Sequence, residues 1–127
     1  MIQPTRFDTE AMLWSPQRDK IALSTSGKGL QVFICGTDTQ KERSLNLSHR
    51  SFGELSWSEE GQYLAARSTE GIWYIFRFGD GHAYLVYRTD ATTLEWMSSH
   101  QVVFVPRVGG LTMIDLRDTL HKIYLAG

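Results

Sequence analysis

The sequence predicts an all-β chain of three consecutive four-stranded antiparallel sheets, set as the blades of a partial β-propeller, and three observations predict it. The first is a stretch written three times. Leu13-Trp14-Ser15-Pro16 leads to Ile21-Ala22-Leu23 and Val32-Phe33-Ile34, and Ser56-Trp57-Ser58 leads to Leu64-Ala65-Ala66 and Tyr74-Ile75-Phe76. Glu95-Trp96-Met97 leads in the same way to Val103-Phe104-Val105 and Met113-Ile114. The spacing is 43 residues from Trp14 to Trp57 and 39 from Trp57 to Trp96, against roughly 40–45 for a four-stranded propeller blade. A glycine follows each tryptophan at fourteen or fifteen residues: Gly29, Gly71 and Gly110. The second observation is that no segment of eleven or more residues keeps apolar positions at helical spacing, which leaves strand and turn. The third is a gradient of polarity inside each copy. Tyr63-Leu64-Ala65-Ala66, Ile72-Trp73-Tyr74-Ile75-Phe76 and Val102-Val103-Phe104-Val105 do not alternate, whereas a sheet with one wet face would. The second and third strands of each copy are therefore expected to be covered on both faces.

Taken in order, residues 1–10 read as a polar lead-in containing Pro4, of the kind that completes a last blade in propellers. The first blade spans about 11–48, with strands near 11–15, 20–26, 29–35 and 41–48. Its last strand, Lys41-Glu42-Arg43-Ser44-Leu45-Asn46-Leu47, is charged and alternating, as an outer edge must be to discourage stray pairing. The second blade spans about 53–89, with strands near 53–58, 62–68, 71–78 and 83–89. The third spans about 92–126, with strands near 92–97, 101–107, 110–116 and 121–126, and Pro106 ends or bulges its second strand because it removes a backbone donor. Polar clusters after each tryptophan, such as Ser15-Pro16-Gln17-Arg18-Asp19 and Ser58-Glu59-Glu60-Gly61, supply tight reversals. Gly79-Asp80-Gly81 is the clearest hairpin turn, with Asp38 and Asp118 at the matching places. A β-sandwich would also show short strands, but not a tryptophan and a glycine returning in register. Trp14, Trp57 and Trp96 are the expected structural core of the repeat, and Trp73, Tyr74, Phe76, Phe78, Tyr84 and Tyr87 fill the space on either side of the middle copy.

Composition narrows the function. With 13 Lys and Arg against 14 Asp and Glu in 127 residues, interspersed, the chain lacks the basic footprint of nucleic-acid or anionic-membrane binding. Cys35 is the one cysteine, so no intrachain disulfide forms, and the expected place is the cytoplasm or nucleus. It reads as a small buried hydrophobe at a strand end. Met1-Ile2-Gln3-Pro4-Thr5-Arg6 does not read as a basic segment followed by an apolar core, and no run approaches the ~18 apolar residues of a spanning helix, so a soluble protein is the expectation. His49, His82, His100 and His121 are scattered without metal-ligand spacing, Glu59-Glu60 is a solvated turn, and no nucleophile elbow or phosphate loop is present. No catalytic residue, metal or cofactor is expected.

The copies resemble the WD-repeat and TolB-like families of propeller repeats, through Trp14-Ser15-Pro16 and Trp57-Ser58-Glu59-Glu60-Gly61, while Trp96-Met97-Ser98 keeps only the aromatic. The closing Trp-Asp of strict WD repeats is reduced to Ile34-Cys35, Phe76-Arg77 and Ile114-Asp115. A narrower likeness runs from Trp14-Ser15-Pro16-Gln17-Arg18-Asp19-Lys20 through the second copy. It is similar to the opening of the propeller domain in the fourth subunit of the anaphase-promoting complex, a non-catalytic scaffold. These resemblances imply a protein–protein interaction scaffold.

Closed propellers have about four to eight blades, so three should leave two apolar faces to be covered. Two copies would close six blades, three copies nine, or a partner or a longer chain would supply the rest. In propellers of this kind the loops from second to third strands and from fourth to first strands share one face, here carrying Lys28, Glu70 and Arg107 with His49, Arg50 and Asp90. These six are the candidate partner-binding residues. The competing readings are a ligand-binding or enzyme-associated propeller with a site in the closed ring's central channel, and a fragment of a scaffold subunit in a large complex.

Overall fold

The repeated serine after each tryptophan fixes where the chain reverses. In the computed structural model, which describes residues 9–35, 43–79 and 81–118, Ser15 N–H donates to the Lys20 carbonyl at 2.8 Å and its Oγ accepts from Lys20 N–H at 3.1 Å. Ser58 repeats this against Tyr63, at 2.9 and 3.0 Å. In the third copy the turn is tighter, and Ser98 Oγ accepts from His100 and Gln101 N–H at 3.3 and 3.2 Å. Each serine thus satisfies backbone donors that a buried reversal would otherwise strand.

These turns join strands in three antiparallel sheets. The first holds β1 (Thr9–Trp14), β2 (Lys20–Thr25), β3 (Gly29–Ile34) and β4 (Arg43–Ser48), in that order. The second holds β5 (Phe52–Trp57), β6 (Tyr63–Ser68), β7 (Trp73–Gly79) and β8 (His82–Thr89). The third holds β9 (Thr93–Trp96), β10 (Gln101–Val105) and β11 (Thr112–Asp115), followed by a 3-10 turn at Leu116–Asp118. β10 stops just before Pro106, where a donor is missing. The fourth strand expected at 121–126, Asp38 and Asp80 lie outside the described residues.

The sheets stack, and the middle one has a neighbour on each face. Leu64, Ala66, Tyr74, Phe76 and Phe78 pack with Ala22, Leu30 and Val32 of the first sheet. Tyr63, Ala65, Trp73, Ile75 and Val86 pack with Leu94, Val102, Phe104 and Ile114 of the third. Alternate residues of β6 and β7 therefore enter different cores, as the two-residue period of a strand requires.

The expectation of two covered faces holds only in this middle sheet. In β10, Val102 and Phe104 are buried while Val105 is 37% exposed, and on β11 Met113 is 57% exposed. On the first sheet Met12 and Trp14 are likewise open. The physical reason is position in the stack, since each outer sheet has a neighbour on one side only. Cys35, expected to be buried, is half-buried just beyond β3.

The tryptophans join the sheets. The Trp57 indole Nε1 donates to the Leu13 carbonyl at 3.0 Å, and the Trp96 Nε1 to the Ser56 carbonyl at 3.2 Å. Each acceptor is the residue just before the preceding copy's tryptophan. Trp57 is buried and Trp96 half-buried against the second core. Trp14 departs from its expected core place at 42% exposure, because no described sheet precedes it.

Candidate protein-interaction face

The loops between second and third strands and between fourth and first strands meet on one side of the stack. Two glycines permit the approach. Gly29 has φ of 76°, and a Cβ there would collide with the Ser48 carbonyl and lie 2.7 Å from His49 Cα. The Lys28 turn is therefore pressed against the loop carrying His49. Gly71 has φ of 89°, closing a turn in which its N–H donates to the Ser68 carbonyl at 2.9 Å. Ser68 Oγ caps the same turn by accepting from Glu70 and Ile72 N–H at 3.3 and 3.2 Å.

That turn gathers charge from both neighbouring loops. Arg50 Nη1 lies 3.1 Å from Glu70 Oε1, with its guanidinium 5.5 Å from the centre of the Tyr74 ring. Thr69 N–H donates to the Ser51 carbonyl at 3.1 Å, tying the two loops together by backbone. A Cβ on Gly71 would be 3.9 Å from the Nη2 atoms of both Arg67 and Arg107, so two guanidinium groups flank it. Asp90 Oδ1 accepts from Arg107 N–H at 3.3 Å. Arg50, Glu70, Asp90 and Arg107 thus form one group across the second and third sheets, and Lys28 and His49 form a second across the first. Lys28 and Arg107 are exposed, and among the described residues neither side chain makes an ion pair.

Sequence reading missed Arg67 and Glu54. Arg67 lies inside the apolar run of β6, yet its side chain is 39% exposed and its Nη1 stands 3.9 Å from Glu54 Oε1. The signal was available in Leu64-Ala65-Ala66-Arg67, where a cation breaks an otherwise buried strand one residue before its end. Glu54, Arg67, Ser68, Thr69 and Gly71 line a shallow cavity of about 290 Å³ in this face.

Elsewhere the charged groups serve the turns. Burial pushes the Asp19 carboxyl up, but hydrogen bonds from Ser15 and Lys20, with the Lys20 charge, hold it below the usual carboxylate value. Lys20 also lies 5.8 Å from the Trp57 and Phe78 ring centres, a cation–π contact. Hydrogen bonds from Arg117 hold the Asp115 carboxyl at about 2. Among the described residues no group of three or more His, Cys, Asp or Glu is placed to hold a metal. No described helix is long and apolar enough to cross a membrane.

No family model matches the sequence, and no curated protein matches it. Solved structures do. The β-propeller domain of Cps50 (Swd1) from Myceliophteria thermophila aligns over 87% of this chain and 38% of its own, at 15% identity and a TM-score of 0.56. Hsv2 from Kluyveromyces lactis aligns over 77% of this chain and 38% of its own, at 17% identity and a TM-score of 0.55. Hsv2 from Kluyveromyces marxianus gives 17% identity and 0.55 over 77% of this chain and 36% of its own. The chain thus spans less than two-fifths of each of these structures. At such identities the likeness speaks for the fold alone, and with the stacked antiparallel sheets it shows that this chain has the fold of consecutive β-propeller blades, an unclosed part of a propeller's circle.

Proposed function

We propose that the chain is a non-catalytic protein-interaction scaffold whose blades, about 11–48, 53–89 and 92–126, present the loop face to a protein partner and are completed by association. The observation that carries this reading is the convergence of Lys28, His49, Arg50, Glu70, Asp90 and Arg107 on one side of a rigid stack. Loops held by a sheet scaffold are the usual carriers of recognition. The mixture of signs suits a protein surface of complementary pattern better than a polyanion. The likeness to Swd1 and Hsv2 supports the same class through shared fold only.

Charge reversal tests it. Arg50→Glu combined with Arg107→Glu leaves the chain folded, with a melting temperature lower by a few degrees from the lost Glu70 and Tyr74 contacts, and abolishes capture of protein partners by the immobilised chain. Equal capture by both forms removes the loop face from the reading. A thermal-shift series with divalent metals and common metabolites checks the competing small-ligand class, in which a reproducible rise would mark a ligand site.

A further inference from the structure

We propose that the chain docks head to tail on a second copy of itself, the Trp14 face of one copy covering the Met113 face of the other and the Trp14 indole donating to the Glu95 carbonyl. The inference rests on the reading of the chain as an incomplete set of blades and names what completes it. Inside one chain the same contact is already made twice. The Trp57 indole reaches the Leu13 carbonyl, and the Trp96 indole reaches the Ser56 carbonyl, each one residue before the preceding tryptophan. The next acceptor in this series is Glu95, and the first donor in it is Trp14. Among the described residues no indole reaches Glu95, and the Trp14 indole makes no hydrogen bond.

The surroundings of donor and acceptor repeat as well. The residue opening each second strand lies against the following tryptophan, Lys20 by its cation at 5.8 Å and Tyr63 by its ring at 6.1 Å from the ring centres. Gln101 holds that place in the third copy, since Val102 pairs with Trp96 as Leu64 pairs with Trp57. The two end faces are therefore the two halves of an interface that the chain builds for itself. One place differs. Ser15 sits 3.3 Å from a Cβ placed on Gly61, and between copies the same places carry Met97 and Arg18, whose long side chains lie along the contact rather than within it.

Area favours closure over a single contact. A blade face of four strands covers roughly 350 Å² in projection. The Met113 face has three described strands, so one contact buries less than about 700 Å² from both sides, below the ~1,200–2,000 Å² of specific complexes, and closing a pair through two contacts doubles it. A heterologous contact closes into a ring when its rotation allows, so a mass of twice or three times 14.5 kDa is expected.

The experiment is light scattering behind a sizing column on the full chain, on Trp14→Ala, on Met113→Asp and on their mixture, with circular dichroism confirming folding. Trp14 and Met113 lie outside both buried clusters, so both variants fold. Each alone runs as monomer, because every contact in its assembly has lost one half. Their mixture forms a 1:1 dimer where each alone does not, but only at concentrations well above those at which the wild type assembles, because one intact contact holds it instead of a closed set. Trp14→Phe, which keeps the ring and loses the indole donor, weakens each contact about fivefold, and a closed pair, with two such contacts, about 25-fold. A monomeric wild-type chain overturns the proposal, as does a Met113→Asp variant that assembles like wild type, which would mark face-to-face pairing. Partner capture by the loop face persists in Trp14→Ala, so loss of the scaffold reading and loss of this one are read separately.

Discussion

The second and third sheets carry the same pattern and meet different fates. In the second, Leu64 and Ala66 enter one core while Tyr63 and Ala65 enter the other, and all four are buried. In the third, Val102 and Phe104 are buried, while Val103 is half-buried and Val105 is 37% exposed. Both strands are apolar on both faces, so the difference lies in the neighbours and not in the residues. An apolar strand face states a requirement for cover, and the stack decides whether the requirement is met within the chain.

The largest test of that comparison sets Trp57 against Trp14, the same residue at equivalent places. Trp57→Ala should cost about 3–5 kcal/mol, from a large buried side chain and its bond to Leu13. Trp14→Ala should cost about 1 kcal/mol or less when measured on the dissociated chain. Denaturant midpoints of the two variants give the contrast, and equal losses would mean that the Trp14 face is covered within the monomer.

A smaller contrast lies in the turns. Gly61 has φ of 76° and Arg18, at the matching place, φ of 62°. Left-handed backbone costs an L-residue roughly 1–2 kcal/mol. Gly61→Ala should therefore destabilise by about that amount, increased by the close Ser15 Cβ. Arg18→Gly should stabilise by only about 0.5 kcal/mol, because glycine also enlarges the unfolded ensemble. Thermal melts of the two variants should move in opposite directions.

The smallest effect concerns acid. The folded Asp115 carboxyl sits at about 2, below its ordinary 3.8, through hydrogen bonds from Arg117. A depressed carboxylate contributes stability above its unfolded value, and that contribution is lost as pH falls through the folded one. Between pH 4 and 2 the wild type should lose slightly more stability than Asp115→Asn. Added salt should narrow the gap, since the pair is exposed.

Much of the fold was legible. The positions of the strands followed from the polar clusters after each tryptophan and from Pro106, because turn chemistry is local. The loop face was legible in part: Arg50, Glu70, Asp90 and Arg107 were named from their loops, and the structure brings them together. Arg67 and Glu54 were not, because strand residues near a sheet end reach the loop face only through side-chain length and sheet twist, which a linear pattern does not carry.

By itself the sequence determined the repeat, the strand class and the places of reversal, since each rests on residues close in the chain: Ser15 and Ser58 with the backbone just beyond them, and short apolar runs that do not alternate. The tertiary structure alone decided which tryptophans are buried and which carbonyl each indole meets. Those outcomes depend on contacts across some forty residues, Trp57 to Leu13 and Trp96 to Ser56, and on whether another sheet stands beside a given face. Three tryptophans at one place of the repeat thus end as one buried, one half-buried and one open, because burial belongs to the neighbourhood that the stack creates.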